Sequence, residues 1–188
     1  MAESTSSSNS IYHERQSWQL CAMHSLNNLF QGVAFTRDSL DDICKKLSPE
    51  SGFWNPHKNC IGLGNYDVNV VISALNTKDC TAVWFDKRKS PEVIDLTKIV
   101  GFIANVPSQA KISFVTIPFI KRNHWIAMRE INGTYYNLDS KLAAPELIGG
   151  VENLVQYLKG ILSCKDKELF VIVNCETEKN GSWNKEKK

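Results

Sequence analysis

An α+β fold, with N-terminal helices packed on a mostly antiparallel sheet, is predicted by three features of the sequence. Apolar residues recur at helical spacing up to Asn76. From Cys80 onward the period drops to two, and an Asn132-Gly133 pair joins two of the resulting strands. Helices first and strands afterwards is the order expected when helices gather on an antiparallel sheet. The 188 residues suit one domain, and 43% hydrophobic against 22% charged residues is enough to build a core.

Cys21 to Gln31 is the first expected helix. Ala22, Leu26, Leu29 and Phe30 form one apolar stripe, and Gly32 stands where a C-terminal glycine cap belongs. His24, Asn27, Asn28 and Gln31 lie mainly on the other side. Thr36 to Leu47 is the second helix. It is acidic at its start (Asp38, Asp41, Asp42) and ends in Lys45-Lys46 with Pro49 beyond. Residues 48–64, carrying Pro56, Gly62 and Gly64, are expected to be irregular. Asp67 to Asn76 is the third helix, with Val68, Val71, Ile72 and Leu75 at helical spacing.

Strands are expected at Cys80–Phe85, Gly101–Val106, Ile112–Ile117, His124–Ile131, Thr134–Leu138 and Leu169–Asn174, with a helix Val151–Leu162 before the last. The Ser-rich residues 1–10 are expected to be a disordered tail, 11–175 the folded domain and 176–188 a polar tail, Trp183 being its one residue with reason to dock.

Composition excludes several functions. A net charge of +2, with only the short basic runs Lys87-Arg88-Lys89 and Lys121-Arg122, gives no field for nucleic acid. The start MAESTSSSNS has neither a basic n-region nor an apolar stretch, so no signal peptide is expected. No apolar run approaches the ~18 residues of a membrane span. A cytoplasmic, or also nuclear, protein is therefore expected, with its six cysteines (21, 44, 60, 80, 164, 175) as thiols. Cys21 and His24 make one C-x-x-H pair, but no second pair has zinc spacing, so no metal and no cofactor are expected.

The Asn-Gly turn sets a register. If Ile131 pairs with Thr134, Ile126 faces Asp139 and His124 faces Lys141. His124 and Asp139 then share a face as diagonal neighbours, with backbones about 7–8 Å apart. A carboxylate beside an imidazole accepts its Nδ1 proton, fixes the tautomer and favours the charged ring. Trp125 points to the opposite face, which makes it a core residue.

Cys21 opens a helix, where the dipole and the N–H groups favour a thiolate, the form that acts as nucleophile. Attack on a carbonyl creates an oxyanion that needs preorganised donors. The Cys21 N–H is one, and the upstream amides Gln16 and Gln19 are candidates for another.

HERQSWQLCAMHSLNNLFQG, NHWIAMREINGTYYNLDSK and APELI, in that order, resemble the Josephin family of papain-like cysteine proteases that act on ubiquitin. The likeness covers roughly residues 11–175. With no polyglutamine tract or ubiquitin-interacting helices after it, the chain is most similar to the short stand-alone members. The resemblance implies a papain-like fold, with Cys21 as nucleophile, His124 as general base, Gln16 rather than Gln19 in the oxyanion hole, and Asp139 orienting the histidine. Asn137 is a second, weaker candidate for that last role, and His24 is expected to be structural. It further implies a deubiquitinase that cleaves isopeptide bonds at the ubiquitin C-terminal glycine through a Cys21 thioester, acting as a monomer on ubiquitin and ubiquitinated proteins. Trp18, Trp125 and residues 62–64 are candidate walls of a channel for the ubiquitin tail. Two alternatives stay open: a ubiquitin-binding module with little turnover, and a cysteine hydrolase for a ubiquitin-like modifier.

Overall fold

The computed structural model describes residues 10–17, 19–49, 66–112 and 115–187, with the backbone alone for 109–112 and 115–122. In chain order the elements are helices α1 (Cys21–Phe30), α2 (Arg37–Leu47) and α3 (Val68–Asn76), then strands β1 (Cys80–Trp84), β2 (Gly101–Ile112), β3 (Val115–Ile131), β4 (Thr134–Asn137) and β5 (Glu146–Gly149). Helix α4 (Val151–Leu162), strand β6 (Glu168–Asn174) and helix α5 (Cys175–Asn180) complete them. The strands form one antiparallel sheet in the order β1-β6-β2-β3-β4-β5.

Period-two alternation sends side chains to two cores. In β6, Phe170 and Ile172 join Ile103, Trp125 and Ala127 beneath α1, α2 and α3. Leu169, Val171 and Val173 join Phe102, Met128 and the α4 leucines 154 and 158 on the other face. The sheet is thus covered on both sides, and the helices are not confined to one. Each leucine buried in this way contributes about 1.5–3 kcal/mol.

Local signals account for the helix starts. Thr36 caps α2 through a reciprocal pair of bonds with Ser39, and the Asp67 carboxylate accepts the N–H groups of Asn69 and Val70 at the start of α3. At the end of α1 the left-handed position is taken by Gln31 (φ 57°) and not by Gly32. The Gly32 N–H bonds to the Asn27 carbonyl, while the Gln31 amide bonds both polar groups of the Tyr12 backbone. Three side-chain bonds to residues 12 and 28 offset the cost of a left-handed non-glycine residue.

Two other expectations change. The strands expected at Ile112–Ile117 and His124–Ile131 are one, β3, whose long hairpin with β2 absorbs a register shift between Gln109 and Lys111. Residues 176–187 are not a loose polar tail. They begin in α5, and Trp183, 6% exposed, enters the core beside α4. The Trp183 carbonyl accepts the Asp95 N–H at 2.8 Å, and Asn184 bridges to Ile94. The expected tail over residues 1–9, Trp18 and the irregular segment over 50–64 lie outside the described residues.

Candidate active site

The hairpin register matches the one read from the Asn-Gly pair: Ile131 faces Thr134, Arg129 faces Tyr136 and Met128 faces Asn137. Asn132 and Gly133 have φ of 52° and 82°, the two positive values that a tight two-residue hairpin requires. Pairing continues one step further, with the Leu138 N–H on the Ala127 carbonyl at 2.8 Å, and the chain then turns at Asp139.

There His124 Nε2 and Asp139 Oδ1 meet at 2.6 Å. The bonded nitrogen is Nε2 rather than the expected Nδ1. Nδ1 is the ring nitrogen that Asp139 leaves free, and Cys21 lies close enough to the ring to act on its charge state. Burial by itself would lower the His124 pKa, but the hydrogen bonds to Asp139 and Cys21 outweigh it and hold it above its ordinary value. Burial would raise Asp139, yet the His124 hydrogen bond, then the Lys141 N–H at 2.8 Å, hold its carboxyl below the usual carboxylate range. Both shifts favour the charged pair.

Cys21 stands at the first position of α1. Leu20 precedes it without a side-chain cap, and the first turn carries no acidic residue. The N–H groups and positive dipole end of the helix are therefore uncompensated by any carboxylate on the helix itself. Cys21 is 4% exposed and His124 3% exposed.

Gln16 reaches the same place by its backbone, its N–H donating to the Ser140 carbonyl at 2.6 Å, one residue beyond Asp139. Gln19 is half-buried in the turn before α1, with its amide oxygen buried and unpartnered. Trp125, the expected channel wall, faces the core beneath the helices. It is 4% exposed, packs on Phe170 and donates its indole N–H to the Tyr66 carbonyl at 3.0 Å. Trp18 and residues 62–64 fall outside the described residues. Among the described residues no group of histidine, cysteine and carboxylate side chains could hold a metal, and the cysteines there are all free thiols.

Sequence reasoning missed the polar scaffold. Asn137 Oδ1 accepts the Asp139 N–H at 3.0 Å while its Nδ2 donates to Glu146 at 2.8 Å, so Asn137 holds Asp139 and not the histidine. Asn28 accepts the Glu14 N–H at 2.6 Å and donates to the Leu138 carbonyl at 2.9 Å. The carbonyls on both sides of Asp139 are thereby tied, one to α1 and one to the Gln16 segment. Adjacent asparagines are poor helix formers, and their place inside α1 was the available signal.

The Josephin family model matches residues 16–173. The chain belongs to the Josephin family. A Josephin-like protein of Drosophila melanogaster is 48% identical over 89% of this chain and 76% of that protein. Human Josephin-2 is 42% identical over 92% of this chain and 91% of its own length. A solved UCH37 catalytic domain of Trichinella spiralis, bound to ubiquitin vinyl methyl ester, covers 88% of this chain and 64% of its own at 14% identity and TM-score 0.38, too loosely to carry any conclusion. Family membership brings the papain-like α+β fold with it, and Cys21, His124 and Asp139 of this Josephin all lie within the matched span.

Proposed function

We propose that this Josephin is a thiol-dependent deubiquitinase that hydrolyses isopeptide bonds at the C-terminal glycine of ubiquitin. The observation that carries the reading is the Cys21–His124–Asp139 line at the start of α1, in a chain of this family. His124 takes the Cys21 proton as general base. The thiolate attacks the glycine carbonyl, and the Gln16 amide with the Cys21 N–H holds the oxyanion. His124 gives its proton to the departing lysine amine, leaving a thioester. Water then loses a proton to His124 and attacks, the sulfur leaves as thiolate, and the charged pair is restored. Ubiquitin and ubiquitinated proteins are the partners of this reading, and a monomer in the cytoplasm or nucleus is its setting.

The burial of both reacting groups favours a second reading, low basal turnover from a covered site. The test is ubiquitin carrying a C-terminal thiol-reactive group, with products read by mass spectrometry beside Cys21→Ala and ubiquitin-chain hydrolysis. One ubiquitin mass on Cys21, lost in the variant, with chain cleavage supports the enzyme. An adduct without cleavage supports the covered site. No adduct from a folded chain sinks both.

A further inference from the structure

The polar side of α1 holds a histidine that the reaction above does not use. His24 lies three residues after Cys21, on the next turn of the same helix, and is 5% exposed. Both ring nitrogens are engaged away from the sulfur. Nδ1 meets Glu14 Oε2 at 2.6 Å. Nε2 accepts the Ser17 N–H at 3.2 Å, with the Ser17 hydroxyl at 3.3 Å. A nitrogen that accepts a backbone N–H carries no proton, so the ring proton sits on Nδ1 and points to the carboxylate. With both nitrogens occupied, the ring cannot also serve Cys21 as a base.

Glu14 is held in turn. Its carboxylate accepts Asn27 Nδ2 at 3.0 and 3.2 Å and the Tyr12 hydroxyl. Burial, then that hydrogen bond and the Glu14 charge, push the Tyr12 phenol up to about 12, so it stays a donor. Glu14 and Ser17 bracket Gln16. The segment that carries the oxyanion amide is thus fastened to the second turn of the nucleophile helix at two points, and to the Asp139 turn at a third through the Gln16 N–H.

Resting on the function proposed above, we propose that His24 is a positioning residue. By clamping Glu14 and the Ser17 N–H onto α1, it sets where the Gln16 amide stands relative to Cys21 Sγ. Its contribution belongs to steps that build an oxyanion and not to the reactivity of the thiol. The two can be separated, because alkylation by iodoacetamide displaces iodide at a saturated carbon and forms no oxyanion, whereas amide hydrolysis must form one.

The experiment compares the full chain with His24→Ala, His24→Gln and Glu14→Gln. It reads kcat and KM on ubiquitin bearing a C-terminal fluorogenic amide. It also reads the rate and pH profile of Cys21 alkylation by iodoacetamide, followed at the Cys21 peptide. Loss of a single oxyanion donor costs about 10²–10³ in kcat, and loosening one should cost about 10–100-fold. The expected result is therefore a kcat lowered about 10–100-fold in His24→Ala, with KM within about twofold and an unchanged alkylation profile. His24→Gln, which keeps an acceptor for the Ser17 N–H, should recover part of the loss, and Glu14→Gln should lose less than His24→Ala. Alkylation falling in step with kcat, a shifted alkylation pH profile, or an unchanged kcat would each overturn the proposal. No turnover by the unmodified chain would instead overturn the deubiquitinase reading, and this inference with it.

Discussion

Asp139 fixes the charge state of His124 more than its position, since strand β3 already holds the ring. The raised His124 pKa extends the charged ring to higher pH, and a reaction that needs the imidazolium keeps its rate there. Asp139→Asn removes the charge but keeps a hydrogen-bonding side chain. The alkaline limb of kcat/KM should move to lower pH, checked by a pH-rate profile on a ubiquitin C-terminal amide; a limb that stays in place would mean that Asp139 does not hold the proton on His124. The same pair has a stability signature. The folded His124 pKa lies above its ordinary 6.5, so its contribution is complete below 6.5 and lost as pH rises through the folded value. The folded Asp139 pKa lies below 3.8, so its contribution is complete above 3.8 and lost as pH falls through the folded value. The difference in Tm between the unmodified chain and Asp139→Ala should therefore be largest between those limits and shrink on either side. A difference independent of pH would contradict the ion pair.

Among the elements, β2 leaves no room for a side chain at Gly101 between β3 and α1. A Cβ at Gly101 would stand 2.6 Å from the Met128 carbonyl oxygen and 2.9 Å from Leu29 Cδ1. The first neighbour is backbone in the strand that carries His124, and it cannot swing aside. Gly101→Ala should destabilise by about 1–3 kcal/mol, read as a lower denaturation midpoint at unchanged m-value. A neutral effect would show that the β2–β3 pair yields more easily than its hydrogen bonds imply. At this scale most of the site was legible. The Asn132-Gly133 turn determines the β3–β4 register from two residues, because their positive φ values are available at low cost to few others. The first position of α1 was legible because the apolar stripe begins with Cys21. The extent of β3 was not, since residues 118–123 carry a proline and a polar Lys121-Arg122-Asn123 run that break the apolar alternation, while pairing with β2 runs through Lys121 and resumes at Thr116.

For the molecule as a whole, the C-terminal segment is the part whose role depends on contacts made far away. Trp183 fills the core under α4 next to Ile94 and Phe85, about ninety residues earlier. Trp183→Ala should cost about 3–5 kcal/mol, as large aromatic truncations in cores do. A chain ended at Cys175 should lose at least as much, measured by chemical denaturation. If either change leaves the stability within about 0.5 kcal/mol, the segment is a surface appendage. Because Trp183 lies on the sheet face opposite α1, its loss should lower stability without altering the pH profile of a chain that remains folded.

What this sequence determined by itself was local: helix periods, the Asn-Gly turn, a cysteine at a helix start, and the relation of His124 to Asp139 through strand parity. These follow from backbone geometry over a few residues, and the quoted motifs carry the family in the same local way. The tertiary structure alone decided which nitrogen of His124 meets the carboxylate, and that Cys21 and His124 are both buried. It alone showed that Glu14, His24, Asn27 and Asn28 form one polar layer over α1. Such facts depend on where side chains meet across the fold, and hydrogen-bond partners distant in sequence leave no period to read.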